Sequence, residues 1–430
     1  MTIQDEPSRE HPLEEIQDSL VDGDVPLRPG SARAALRHRA FRIVYFGAFA
    51  SSIGSWMQNI VLAAYAKELT DSPTFVGVII FAQLGPMLLI TPFGGLLADA
   101  VDRRRLLIVA QLEQMAMSLV LALLVVNGDP NKWVLVAVVF AIGMGQAINA
   151  PTWSAIVPTL VGRRDLPGAI SLNSTQMNGS RVIGPAIGGV LFPVFGPAGV
   201  FVVNAFTYLA VIVALLKVDL PKTARTSLRA AGWRQLLGGL EVARRDPLVR
   251  RTLVLLATFS LVCLTFVGQM PVVAEDNYGL EVRSFAYGAL YALFGLGAML
   301  GSISLGTIWS DRPKAAMTKW ALLAFAGFLA PFALFTDPAF AFPLAFLVGF
   351  AYFVFITSLS TVLQHDLEDH ERGRVMALWF MGFGGTVPIG NLIAGPIIEA
   401  TSITAVMLVG AAMAVVLTRF SDLRRLGSKV

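Results

Sequence analysis

Residues 196–217 read GPAGVFVVNAFTYLAVIVALLK, with a single charged residue, Lys217, at the very end. A helix needs about 20 apolar residues to cross a hydrocarbon core roughly 30 Å thick, and this run supplies them. Comparable stretches recur at 43–66, 75–97, 106–127, 133–157, 169–192, 252–275, 285–309, 317–335, 339–363, 375–398 and 401–418. In lipid only helices and closed barrels satisfy their own backbone hydrogen bonds. These runs are too long and too uniformly apolar for barrel strands. The sequence therefore predicts an all-α polytopic membrane protein with twelve transmembrane helices.

Composition agrees. Hydrophobic residues make up 55% of the chain and charged residues 14%, where a soluble protein carries roughly a quarter charged. The basic balance belongs to loops and is not a nucleic-acid footprint. Cys263, the single cysteine, excludes an internal disulfide and a multi-cysteine metal site. No cofactor or metal is expected. His365, Asp366, Asp369 and His370 read as a solvated loop, and neither a Walker A sequence nor His-Glu-x-x-His is present. That argues against an enzyme and against an ATP-driven pump.

Charge sets the expected orientation. Of the 33 Lys and Arg, 29 fall in the tails and even-to-odd loops or at their edges. Lys67, Lys132 and Arg283 fall on the other side, and Arg181 lies inside a span. The positive-inside rule then places both termini in the cytoplasm, in a bacterial plasma membrane. Residues 1–40 lack an apolar signal-peptide core and are expected to be a disordered tail, with a second tail at 419–430. Between them lie one six-helix unit, 41–217, and another, 252–418. The connecting loop, 218–251, carries Trp233, Leu236, Leu237 and Leu240 at helical spacing among Arg229, Arg234, Arg244 and Arg245. An amphipathic helix on the anionic inner leaflet has this pattern.

The two units repeat. A shift of 206 residues brings Asp165 onto Glu371, Leu172 onto Leu378, and Gly179, Gly184 and Gly189 onto Gly385, Gly390 and Gly395. Two pseudo-symmetric six-helix bundles that rock against each other are the expected architecture.

The loop after the second span reads Gly95-Leu-Leu-Ala-Asp99-Ala-Val-Asp102-Arg103-Arg104-Arg105. It resembles the signature Gly-x-Leu-x-Asp-Arg-x-Gly-Arg-Arg of the major facilitator superfamily, with Ala100 and Asp102 as departures. Gly306 through Ser310, Asp311 and Arg312 looks like a decayed copy after the eighth span. The resemblance implies a latch, with Asp99 set against the start of the eleventh helix near Gly373 and Arg374. The helix dipole favours such a carboxylate by about 0.3–1 kcal/mol. Arg181-Val-Ile-Gly184-Pro185-Ala-Ile-Gly188-Gly189 resembles the Gly-Pro-x-x-Gly-Gly motif of the superfamily's exporters. Gly54-Ser55-Trp56-Met57, Leu69 to Pro73, and Ala150-Pro151-Thr152 to Leu160-Val161 are similar to the branch that holds the enterobactin exporter and macrolide efflux proteins.

Arg181 stands about twelve residues into its helix, roughly 18 Å deep at about 1.5 Å per residue, where a charge is costly and usually functional. Two readings stand: coupling to an anionic substrate or proton carrier, and capping of carbonyls freed near Pro185. Glu113 is the best internal carboxylate, a candidate proton carrier or a packed polar group. If the fold holds, Gln58, Asn59, Gln146, Asn149, Trp153, Gln269, Tyr352, Thr357, Ser358 and Trp379 would line a cavity suited to an amphiphilic ligand. The expected function is proton-driven export of such a molecule by a monomer. An uptake permease of the same fold and a lipid scramblase or non-transporting membrane protein are the alternatives.

Overall fold

The computed structural model describes residues 28–100, 102–218 and 231–423, without the side chains at 89–100, 150, 231–236 and 369. Among the described residues there is no strand. The chain opens with α1 (Ala32–Arg37) and the first long helices, α2 (Arg39–Thr70), α3 (Pro73–Ala100), α4 (Arg103–Val125) and α5 (Lys132–Leu160). A 52-residue helical stretch, Leu166–Lys217, turns at Gly196, whose φ of 66° and ψ of −176° are not helical. The turn divides it into α6 (166–195) and α7 (197–217). A positive φ is open to glycine, and Pro197 sets the first turn of α7.

The second half follows α8 (Ala231–Arg245). Its first membrane helix, α9, covers 247–277 as short α-helical pieces with π-helical turns at Phe259–Cys263 and Val273–Asn277. Gly268 and Pro271 occupy the irregular middle, where a regular hydrogen-bond ladder is hardest to keep. Then come α10 (Phe285–Gly306), α11 (Lys314–Leu334), α12 (Pro338–Asp366), α13 (Asp369–Ala400) and α14 (Ile403–Thr418). Six membrane helices thus stand on each side of α8, in the expected order. Seven of the helical stretches are long and apolar enough, taken singly, to cross a membrane.

In the first half α2 packs on α6 and α7, α3 on α5, and α4 on α5 and α7; in the second, α10 and α11 pack on α12, α11 on α14, and α9 on α13 and α14. The halves meet through α3 with α13 and α6 with α10. The glycine repeat has a structural meaning. Gly184 abuts α2 at Trp56, and Gly390 abuts α9 at Leu261. Gly189 meets Gly288 of α10, and Gly395 meets Thr74 of α3. In each half, one glycine lets the helix approach its own bundle and the next lets it approach the other.

Three expectations need correction. Residues 28–40 are not a structureless tail. Ser31 Oγ accepts the Ala34 N–H at 3.2 Å and caps α1, and Asp165 accepts the Gly30 N–H at 3.0 Å. Local capping and a tertiary carboxylate supply what the composition of the tail did not advertise. The helix α13 begins at Asp369, before the expected 375, because helical hydrogen bonding continues past the apolar run. The α8 helix is held by more than a membrane surface: a Cβ at Gly239 would lie 2.6 Å from the Arg374 carbonyl oxygen. Leu237 and Leu240 are exposed as an interfacial helix requires; the side chains of Trp233 and Leu236 lie outside the described residues, as do residues 1–27 and 424–430.

Candidate functional site

Arg181 sits in the middle of α6 where the two halves touch. A Cβ on Gly295 of α10 would lie 2.6 Å from the Arg181 carbonyl oxygen, so the backbones are in close contact there. The guanidinium carbon is 5.2 Å from the ring centroid of Trp56 on α2 and 5.1 Å from that of Phe353 on α12. Its Nε is shut off from solvent and has no hydrogen-bond partner, and among the described residues no carboxylate pairs with it. Aromatic faces stabilise a cation by about 2 kcal/mol when desolvated, far less than a buried charge costs unpaired. The centre is therefore electrostatically incomplete. Trp56 and Phe353 were missed as partners from the sequence, because they come from different halves.

The rest of the exporter-like motif forms a contact strip. Gly184 and Pro185 are buried, Gly188 faces Ile60 and Met57 of α2, and Gly189 faces α10. The repeat of small residues on one face serves both contacts at once.

The polar candidates divide. Gln58 is 1% exposed; its Oε1 accepts from Ser118 Oγ at 2.9 Å and Asn204 Nδ2 at 2.8 Å. Gln269 is fully buried and donates to the Pro73 carbonyl at 3.0 Å. Tyr352 stacks with Phe259 and Phe294 inside the second bundle, and Trp379 is also buried. In this conformation these four are packing groups rather than cavity lining. Most polar groups in a bundle interior find partners, which cavity arguments from sequence do not register; Gln269 Oε1, by contrast, is buried without one. Asn59 accepts from Gln83, Asn149 from Gln111 Nε2 at 3.2 Å, and Trp153 Nε1–H donates to Asn173 Oδ1 at 2.7 Å. Gln146 and Thr357 are partly exposed, Thr357 3.5 Å from Ser302 Oγ; Ser358 is buried. Glu113 on α4 has its Oε2 buried without a partner, directly against Gly145 of α5.

Around the signature loop, Asp102 accepts the Arg105 N–H at 2.9 Å and caps α4. The departure from glycine thus has a local use. Arg103 donates to the Ala155 carbonyl at 3.1 Å, and Arg104 to that of Leu216 at 2.9 Å, in the last turn of α7 where a cation suits the helix dipole. The side chains of Gly95 and Asp99 lie outside the described residues. Ser310 Oγ donates to Asp311 at 3.3 Å, and Asp311 and Arg312 are exposed in the turn after α10.

A second cluster lies at the opposite end of the bundle, where α2 ends and α9 ends. Lys67, 4% exposed, pairs with Asp71 and stands 3.3 Å from Asp276 and 3.7 Å from Glu275. Glu68 pairs with Arg283 at 2.9 Å, and Arg283 also lies over the Phe192 ring. Glu399 accepts from Ser72 and from the Thr74 N–H. All but the Lys67–Asp71 pair tie one half to the other. Lys67 and Arg283 are two of the three cations on the Arg-poor side, a signal visible in the sequence count.

Two pseudo-symmetric six-helix bundles packed face to face are the architecture of a major facilitator superfamily transporter rather than an enzyme. Residues 30–427 match the transmembrane secretion effector family, and the chain belongs to it. It is 23% identical to the staphyloferrin A transporter of Staphylococcus aureus, over 81% of this chain and 87% of that one. It is 25% identical to the enterobactin exporter of Shigella boydii, over 80% and 81%. Among solved structures it resembles a bacterial homologue of the lysosomal transporter Spinster in an inward-facing, unoccupied conformation (TM-score 0.74, 15% identity, 90% of this chain and 97% of that one). A nucleoside transporter has the same TM-score at 12% identity, covering 90% and 100%.

Proposed function

We propose that this transporter exports an anionic, amphiphilic small molecule of the siderophore class, driven by the proton-motive force. The carrying observation is Arg181: a central cation held between two aromatic rings, with an unpartnered Nε and, among the described residues, no carboxylate. A charge kept in that state is a liability unless a ligand completes it. An acidic cargo supplies the missing anion, and Trp56 and Phe353 supply apolar surface for its body. The names of the two relatives support that cargo class.

The Lys67 end is closed by ion pairs between the halves, and the positive-inside rule makes that end external. The Arg-rich end is then cytoplasmic, and the state fits one that loads cargo from the cytoplasm. Export follows when the external pairs open and the latch of Gly95, Asp99, Arg103, Arg104, Asp311 and Arg312 closes the other end. Glu113 is the candidate proton carrier, since an unpartnered buried carboxyl is the form that exchanges a proton with the cycle.

Everted vesicles with an acid interior and a pH-sensitive dye test this reading against catecholate siderophores and amphiphilic drugs. Substrate-dependent proton release, absent in Arg181→Gln, is the expected result. Cargo leaving the vesicle interior would make the protein an uptake permease. Accumulation without proton release would assign coupling to another ion.

A further inference from the structure

A groove of about 460 Å³ lies between the first turns of α9 and the last turns of α14, on the Arg-rich end and apart from every residue of the Arg181 centre. Its mouth carries Arg250 and Arg251; its walls are Val254, Met413, Val416 and Phe420 over a floor of Leu255 and Leu417. Val254, Val416 and Phe420 are 57%, 48% and 51% exposed, whereas Leu255 and Leu417 are 1% and 5%. The groove is thus a slot with an apolar lining open along one side and two cations at one end.

Neither guanidinium makes a hydrogen bond or ion pair among the described residues. The nearest carboxylate in sequence, Asp246, is already used: its Oδ1 accepts the Leu248 and Val249 N–H groups at 2.7 and 3.3 Å and caps α9. Arg419, just past α14, adds a third cation to the same end. Basic pockets between membrane helices on the cytoplasmic side recognise anionic lipid headgroups, and the apolar slot continues in the direction an acyl chain takes from such a headgroup.

We propose that this groove is a binding site for an anionic phospholipid of the inner leaflet, its phosphate on Arg250 and Arg251 and one acyl chain along Val254, Val416 and Phe420. The occupant is a lipid and not free phosphate, because most of the lining is apolar and would leave a small anion uncovered. α9 carries the irregular π-helical turns and pairs with α13, which contacts the opposite half. A lipid seated here therefore bears on a helix that the conformational cycle must move.

The test is native mass spectrometry of the full-length protein, delipidated and then titrated with phosphatidylglycerol or with phosphatidylcholine of the same chains. The expected result is at least tenfold tighter retention of phosphatidylglycerol by the wild type. That preference should vanish in Arg250→Gln/Arg251→Gln. Val254→Trp, which fills the slot and keeps both charges, should weaken retention of the lipid. Equal retention of the two lipids by the wild type would overturn the proposal, as would displacement of phosphatidylglycerol by inorganic phosphate at equal concentration. The wild-type comparison needs no variant, so a folding defect cannot mask the answer.

Discussion

Lys67 Nζ lies 3.3 Å from Oδ1 of Asp276, tying the last turn of α2 to the end of α9. One ammonium, almost wholly buried, serves Asp71, Glu275 and Asp276 together. Hydrogen bonds to charged groups contribute about 1.5–3 kcal/mol when buried, and the exposure of the carboxylates, partial at Glu275 and Asp276 and nearly complete at Asp71, puts this cluster at or below that range. Lys67→Met should therefore shift the equilibrium toward opening at this end by roughly tenfold. Spin-label distances between α2 and α9 read that shift; an unchanged distance distribution would show that the cluster does not gate.

The Gly189–Gly288 contact gives a sharper steric test. A Cβ on Gly189 would stand 2.6 Å from the Gly288 Cα, where only backbone could yield. Gly189→Ala should abolish full closure at the Lys67 end and transport with it, at a cost of about 1–3 kcal/mol in the closed state. At Gly188 a Cβ meets the Ile60 Cδ1 and Met57 Cγ side-chain atoms at 3.1 and 3.3 Å, which rotamer changes can move aside. Gly188→Ala should retain most activity. Equal loss in both would point to helix bending rather than close approach.

Removing the central cation separates a structural from a functional role. Among the described residues Arg181 has no carboxylate to strand, so Arg181→Gln should leave thermal stability unchanged or raised, while transport of an anionic cargo is lost. Arg181→Lys keeps charge but not the flat stacking surface, and should recover only part of the transport. A drop of several degrees in midpoint for the Gln variant would instead identify Arg181 as a structural cap.

Gln58 predicts the reverse pattern. Its amide oxygen holds Ser118 and Asn204 inside the first bundle. Gln58→Ala should cost about 0.6–2 kcal/mol in stability, the range for buried polar contacts between membrane helices. Substrate preference should stay the same. A changed substrate profile at unchanged stability would return Gln58 to the cavity wall.

Asp165 ties residues 28–38 to the turn before α6. The Gly30 N–H, and then the His38 ring 2.9 Å away, hold its carboxyl below the ordinary carboxylate range. A depressed carboxylate contributes stability above its unfolded pKa of about 3.9 and loses it as pH falls through the folded value. Amide exchange at Gly30 should thus stay slow at neutral pH and accelerate below about pH 4. Asp165→Asn should remove that acid transition; a transition surviving in the variant would assign it to another group.

Much of this was legible in the chain because lipid is a demanding solvent. Uninterrupted runs such as 196–217 have one solution in a bilayer, and a period of 206 residues exposed the duplication. The glycines at 184, 189, 390 and 395 showed that helices must approach closely, and Arg181 marked itself by depth alone. What the chain could not disclose were partners distant in sequence. Trp56 and Phe353 flank Arg181 only because α2, α6 and α12 converge, and Asp276 meets Lys67 only because the halves close on that end. Gln58 and Gln269 look like ligand contacts in a list of polar residues, yet in the fold the Gln58 amide oxygen is taken up by Ser118 and Asn204 and the Gln269 amide nitrogen by the Pro73 carbonyl. Hydropathy is a property of each segment read against the solvent, so the helices, their number and their repeat could be read along the chain. Which face of a helix meets a partner, a cavity or lipid depends on how distant helices pack, and that emerges in the folded bundle alone.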